Sequence, residues 1–595
     1  MRLALARINP TVGDIPANAA LITTAIAQAR AAGADLVVFP ELSLCGYPPK
    51  DLLMQEGFVE ACAAAAKSIG ETHTAGLTCI LGLPLPHDQK AHRPGAPIHN
   101  SLVVYRDNRF VAYYDKRLLP TYDVFDEDRY FEPGDRAVVI DVPSSSPLPA
   151  GGGRGVGSAA SGSAPDSLLV GLSICEDLWK GEDAGFSHRY DAAPDPVPAL
   201  IAQGARVIVS PSASPFVLGK HAKHRDICIA HARKHKCFVA SVNQGGANDD
   251  LIFDGHAFVV APDGTTLAAA PLFGDGLFVV DIPSTSSSAA RGPITPEPCD
   301  EHQLFLALVT GIRDYLGKTG FTKALIGLSG GIDSALTAAL AARAIGPANV
   351  SGVAMPGKYS SQHSLDDAYD LARRLGVTCQ TISIEAPLSA FRDTIDPAFR
   401  AASLKTLGQS LPDLTEENIQ SRIRGTILMT LSNRTGAIVL TTGNKSELAV
   451  GYCTLYGDMN GGLAVLSDVS KQWVYRLSRW MNANAAACGF ASPPIPQRSI
   501  DKPPSAELAP NQTDQDSLPP YEVLDQIIER SVEQRHSPAR IVRETGFDEA
   551  TVRRIVRLID LAEYKRKQAA VGLKVTTVAF GSGRRVPIAQ RWKAP

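Results

Sequence analysis

Short apolar runs that end on glycine, proline or a charged side chain recur along this chain. Residues 2–8 alternate as a strand does, and 18–32 carry alanines and apolar side chains at helical spacing. Leu36, Val37, Val38 and Phe39 form a buried-strand pattern that stops at Pro40 and Glu41. Further runs start at Thr78, Ser101 and Phe110, the last leading into Asp115 and Lys116. A long apolar stretch from Ser167 predicts a strand whose end carries Cys175, Glu176 and Asp177, and another from Ala205 runs into a polar corner at Ser214. Residues 221–235 have helical spacing, and 236–281 return to strands.

After residue 300 strands and helices alternate. An amphipathic helix over 301–316 precedes a strand at Leu325, which stops at Ser329, Gly330 and Gly331 before an alanine-rich helix. Strands at 350–356, 378–384 and 437–444 then alternate with helices at 364–375 and 418–432. This order predicts an α/β fold with a doubly wound parallel sheet and a site at the C-terminal ends of its strands.

At 595 residues the chain is too long for one core. We expect domains at 1–283 and 300–595, the second with a C-terminal helical extension, joined by a Ser- and Pro-rich linker at 284–299. Residues 143–166 are rich in Gly, Ser, Ala and Pro and read as a flexible insertion. A net charge of −3 gives no case for nucleic acid, no apolar run would span a bilayer, and Arg7 interrupts any signal-peptide core. Ten cysteines without a Cys-x-x-Cys pair indicate neither zinc nor a disulfide framework, so a reducing cytoplasm is expected.

The chemistry concentrates at strand ends. Glu41, Lys116 and Cys175 form a workable set: a carboxylate base, an ammonium for an oxyanion, and a thiol nucleophile. Phe39–Leu42, Asp115–Pro120 and Ile174–Asp177 resemble, in that order, the three catalytic blocks of the nitrilase superfamily. The resemblance implies an α-β-β-α sandwich and a thioester at Cys175, with Glu41 as base and Lys116 stabilising the intermediate. It also implies that Tyr122, Ser214 and Lys220 bind glutamine. His224 and His231 share a helical face, but no carboxylate or cysteine completes a ligand set and nearby Lys and Arg would repel a cation. A solvated basic face is expected there.

In the second half, two glycines and a helix start suit a phosphate, and Asp333 suits an accompanying Mg²⁺. Ser329, Gly330, Gly331, Ile332, Asp333 and Ser334 resemble the pyrophosphate loop of ATP pyrophosphatases, an adenine nucleotide α-hydrolase-like, Rossmann-like fold. Thr441–Glu447, Gly451–Asp458, Asp468–Lys471 and Pro503–Leu508 resemble the synthetase domain of the NAD synthetase family, and with the first-half blocks its glutamine-using branch. This implies that Leu328 to Ser334 and Thr442 bind ATP, and that Asn418, Glu447 and Lys565 hold deamido-NAD⁺. Asp333 and Glu447 would bind Mg²⁺. One departure is Leu455, where the ammonia-only branch has a lysine.

The implied enzyme is a carbon-nitrogen ligase using glutamine, ATP and deamido-NAD⁺, with a sheltered ammonia tunnel and a homo-oligomeric assembly, from a dimer up to an octamer. Two alternatives stay open. One is a pyrophosphate-loop amidotransferase for another carboxylate or carbonyl; the other is a free-standing amidase with a nucleotide-sensing module. Residues 537–554 have the outline of a DNA-binding helix-turn-helix. The net acidity favours a docked helical pair that brings Lys565 and Arg566 near the substrate.

Overall fold

The computed structural model describes residues 1–86, 98–144, 167–180, 190–191, 193–283, 292–410 and 413–592. Most of the expected insertion, from residue 145, and linker residues 284–291 lie outside the described residues. The contacts divide the chain into two units: Met1–Asn248 with Ile252–Pro298, and Cys299–Pro595 with Asp249–Leu251.

The strands of the first unit are β1 (Arg2–Arg7), β2 (Leu36–Val38), β3 (Thr78–Pro86), β4 (Ile98–Arg106), β5 (Arg109–Asp115), β6 (Val139–Pro143) and β7 (Ser167–Leu172). They continue as β8 (Val207–Ser212), β9 (Phe238–Asn243), β10 (Gly245–Asn248), β11 (Leu251–Asp254), β12 (Ala257–Val260), β13 (Thr266–Ala269) and β14 (Gly276–Asp281). Two mixed six-stranded sheets form, in the orders β14-β1-β2-β3-β4-β5 and β13-β12-β9-β8-β7-β6, beside a β10–β11 pair. The period of two decides which faces meet. Leu3, Leu5, Leu36, Val38, Leu102 and Val104 of one sheet share a core with Val170, Val207, Val209, Ala240 and Val259 of the other. The alternate residues Ile208, Val239, Phe258 and Val260 face outward and are covered by the helices Pro196–Ala202 and Lys220–His235. The helix Phe58–His73 lies against β3, and Ile15–Ala31 lies against that helix. The result is an α-β-β-α sandwich. Each large aliphatic side chain sealed in it contributes about 1.5–3 kcal/mol.

The second unit holds β15 (Ala324–Gly327), β16 (Val350–Ala354), β17 (Thr378–Thr381), β18 (Ile438–Thr441), β19 (Leu463–Ala464) and β20 (Val571–Gly572). All pair in parallel, in the order β17-β16-β15-β18-β19-β20. The order reverses between β15 and β18, so the loops after these two strands open a crevice at the sheet's C-terminal edge. Leu325, Val353 and Val439 pack against Leu428, Met429 and Leu431 of the helix Leu414–Thr435, while the helix Ile332–Ile345 lies along β15 and β16.

The helix-turn-helix outline is a docked pair. Helices Pro538–Thr545 and Glu549–Leu561 bury Ile541, Val552, Ile555 and Ile559 against Leu524, Ile527 and Val450. The long strand expected from Ser167 ends earlier, at Leu172, and Cys175 opens a 3-10 turn over Cys175–Leu178. The helix over 221–235 corrects the solvated reading. His221, His224 and His231 are buried, while Lys223, Asp226, Arg233 and Lys234 face outward.

Candidate active sites

In the first unit β2 delivers Glu41 three residues past its end, β5 runs straight into Lys116, and Cys175 follows β7 at φ +42°. That left-handed conformation is strained for a side chain with a Cβ and makes a sharp turn after the strand. Glu41 sits in a tight bend: a Cβ on Gly82 would lie 2.4 Å from Pro40 O.

Lys116 is fully buried between two carboxylates. Its Nζ donates to Glu41 Oε1 at 2.6 Å and to Glu127 at 2.8 and 2.9 Å. Asn100 Nδ2 donates to the same Glu41 oxygen at 2.7 Å, and the Ala213 N–H to the other at 2.9 Å. Tyr47 OH holds Glu127 at 2.9 Å. Burial, with the Glu41 charge adding to it, pushes the Glu127 carboxyl up to about 7 against the pull of Lys116. Burial and Glu41 also raise the Cys175 thiol well above its ordinary value, while Lys116 and Lys220 pull the other way. At rest Cys175 is therefore a thiol that needs a base.

Asp177 ties two of the blocks together. It accepts from the Ile174 N–H and Tyr114 OH through one oxygen, and from the Arg117 and Leu118 N–H groups through the other, at 2.7–3.0 Å. Tyr122 points its hydroxyl at Glu176, 3.1 Å away, and Tyr190 adds a bond of 2.8 Å to the same carboxylate. Lys220 Nζ lies against the Phe125 and Trp179 rings and donates to Pro215 O at 3.3 Å. Ser214, at the polar corner after β8, is held through its backbone by Asn243.

In the second unit a cavity of about 580 Å³ opens at the switch point. Leu328, Ser329, Gly331, Ile332, Asp333 and Ser334 line it on the β15 side, and Thr442 and Glu447 on the β18 side. Gly330 lies behind them at φ +76°, where a Cβ would meet Ser364 O at 2.4 Å. This close approach admits only glycine. Ser334 Oγ donates to Gly331 O, and the Gly331 N–H to Ser329 Oγ, which shapes the loop at the helix start.

Asn444 and Glu447 form a reciprocal capping box at the helix Lys445–Val450, which fixes the Glu447 side chain. Asn444 Nδ2 also donates to Asp333 at 2.9 Å. Lys471 Nζ lies 2.6 Å from Asp333 and 3.2 Å from Glu447. Asn418 accepts from Thr454 Oγ1 at 2.8 Å and lines the same cavity. Lys565 reaches the cavity as well, but its amine is committed to Gly451 O and Cys453 O at 2.8 and 2.7 Å. Arg566 lies deeper, bonded to Leu448 O and Glu563.

A family profile described as NAD synthase matches residues 304–569, and one described as carbon-nitrogen hydrolase matches residues 2–291. The glutamine-dependent NAD(+) synthetase of Synechocystis sp. is 44% identical over 99% of this chain and 98% of its own. The chain belongs to the glutamine-dependent NAD(+) synthetases. The Rhodobacter capsulatus member is 42% identical over 100% of this chain and 99% of its own. The solved glutamine-dependent NAD(+) synthetase of Acinetobacter baumannii, in complex with ADP, is 35% identical, covers 100% of this chain and 99% of its own, and has a TM-score of 0.72.

Several groups in these candidate sites carry no signal in the sequence. Glu127 and Asn100 stand in stretches without a telling spacing and reach Lys116 and Glu41 only through the fold. Glu176 stands next to Cys175 in the sequence, but its tyrosine partners have no sequence signal. Lys471 belonged to a recognised stretch, and its place between two carboxylates is tertiary.

Proposed function

We propose that this glutamine-dependent NAD⁺ synthetase makes NAD⁺ from deamido-NAD⁺ in two centres, with Cys175 releasing ammonia from glutamine and the Ser329–Ser334 loop activating the acceptor. The burial of Lys116 between Glu41 and Glu127, beside Cys175, is the observation that carries the first assignment.

Glu41 takes the Cys175 proton as sulfur attacks the glutamine side-chain carbonyl. Lys116 stabilises the oxyanion, the C–N bond breaks, and ammonia leaves with the proton. Water then releases glutamate from the thioester. Tyr122, Ser214 and Lys220 position the amino-acid end of glutamine.

In the second centre the nicotinate carboxylate attacks the ATP α-phosphorus and pyrophosphate departs. Ammonia then displaces AMP to give NAD⁺. The loop N–H groups and Ser329 bind phosphate oxygens, Thr442 contacts ATP, and Asn418, Glu447 and Lys565 hold deamido-NAD⁺. Asp333 and Glu447 fit Mg²⁺, because they already converge on one positive charge and offer the oxygen donors this ion prefers. Bound there, Mg²⁺ would neutralise phosphate charge. Ammonia is mostly protonated in neutral water, so a sheltered route between the centres belongs to this reading.

A homo-oligomer is part of the proposal; exposed Phe110, Val111 and Tyr113 on the edge strand β5 support it. Ten free cysteines suit a reducing cytoplasm, and among the described residues no helix is long and apolar enough to cross a membrane. The deciding assay is pyrophosphate and NAD⁺ formation from ATP, deamido-NAD⁺ and either nitrogen donor. Failure with both donors would replace deamido-NAD⁺ by another carboxylate.

A further inference from the structure

The inward-turned histidine helix packs beside an acid–imidazole group that the proposed chemistry does not use. His221, Asp254 and His256 offer ligand atoms within 4.8 Å of one another. Two of these residues bond to each other instead of facing a common centre. His256 Nδ1–H donates to Asp254 Oδ1 at 2.9 Å, and the same oxygen accepts from the His256 backbone N–H at 3.1 Å and from Asn243 Nδ2 at 2.8 Å. With Nδ1 donating, His256 Nε2 accepts from Ser241 Oγ at 3.3 Å, which fixes the tautomer. Burial alone would raise the Asp254 carboxyl, yet the His256 ring, with His221 and Asn243, holds it below its usual range. It is a carboxylate sealed in the fold.

Asn243 carries this order to the glutamine corner. Its Oδ1 accepts from the Ser214 N–H at 2.8 Å, and its Nδ2 donates to Ser214 O at 2.9 Å. The amide therefore grips both backbone groups of one residue. The preceding N–H, that of Ala213, donates to Glu41. An amide turned by 180° would aim its oxygen at both the Asp254 carboxylate and Ser214 O, and its NH₂ at the Ser214 N–H. All three contacts would be repulsive, so Asp254 adds its charge to the Ser214 backbone in holding one orientation.

We propose that Asp254 and His256 are positioning residues for the amide donor: they lock the Asn243 amide in the orientation that holds Ser214, and so set glutamine affinity. The inference rests on Ser214 as a glutamine contact. It assigns neither residue a part in the bond changes at Cys175.

The test is steady-state kinetics of the full chain, glutamine-driven and ammonium-driven, with thermal unfolding alongside. His256→Leu keeps a buried apolar volume and removes the donor. It should raise KM for glutamine about tenfold, the usual scale for a buried acceptor losing a partner. The kcat should stay within about threefold and the ammonium-driven rate should not change. His256→Asn, whose NH₂ can replace Nδ1–H, should restore KM to within about threefold of wild type. Should His256→Leu not fold, Asp254→Leu, similar in volume and without an acceptor, carries the test with the same expected rise in KM. An unchanged KM in these variants overturns the proposal, as does His256→Asn being as impaired as His256→Leu. Ser214→Ala separates the two readings. An unchanged KM there removes the glutamine contact itself, and the proposal with it. A raised KM there with unchanged Asp254 and His256 variants defeats the proposal alone.

Discussion

Lys471 places its ammonium 2.6 Å from Asp333, so a buried lysine occupies the position between the two carboxylates assigned to Mg²⁺. Glu447, the other carboxylate, is pushed up to about 8 by burial, with the Asp333 charge adding to it against Lys471. The ammonium supplies the positive charge within this group of carboxyls.

Lys471→Met should therefore uncover a need for metal. Leaving the pair uncompensated costs on the order of 3 kcal/mol, and added Mg²⁺ should return much of it. Thermal unfolding with and without Mg²⁺ checks this. An equal loss of stability in both conditions would show that Lys471 is not standing in for a cation.

Glu127 gives the first unit a pH dependence of known sign. The folded carboxyl, at about 7, holds its proton more tightly than the unfolded chain does at its ordinary value of 4.5. Its contribution is full below the unfolded value, declines as pH rises, and is gone above about 7. Glu127→Gln lacks this proton. Wild type should thus lose up to about 3 kcal/mol relative to the variant between about pH 5 and pH 8. Denaturant unfolding at the two pH values reads the difference, and a gap that does not change with pH contradicts it.

Gly330→Ala should damage nucleotide binding without touching the glutamine centre. A Cβ there meets Ser364 O at 2.4 Å on a backbone at φ +76°. The strain, about 1–3 kcal/mol, should shift the loop and raise KM for ATP by about tenfold or more. Glutamine hydrolysis measured alone should persist. A variant with wild-type KM for ATP would argue that the loop does not contact phosphate.

The proposed catalytic groups are legible where an apolar strand runs directly into them. Phe39 to Glu41, Tyr114 to Lys116 and the Ser329 loop are of this kind, because the strand's own pattern marks where a functional side chain emerges. Glu127 and Lys471 are not: Glu127 is held by Tyr47 from 80 residues away and folds back on Lys116 across an irregular stretch, and Lys471 meets Asp333 from 138 residues away. The histidine helix shows a different failure. His221, His224, Cys228 and His231 recur at helical spacing and mark the buried face, but the intervening Lys and Arg suggested a solvated one. Asp254 and His256, on and just after the separate strand β11, gave those histidines their setting.

The most direct test is NAD⁺ formation by Cys175→Ala with glutamine or ammonium as donor, under saturating ATP, deamido-NAD⁺ and Mg²⁺. The account predicts that glutamine-driven synthesis falls at least about a thousandfold while ammonium-driven synthesis stays within about twofold of wild type. Glutamine-driven NAD⁺ formation at the wild-type rate would contradict it, because the nucleophile would then lie elsewhere.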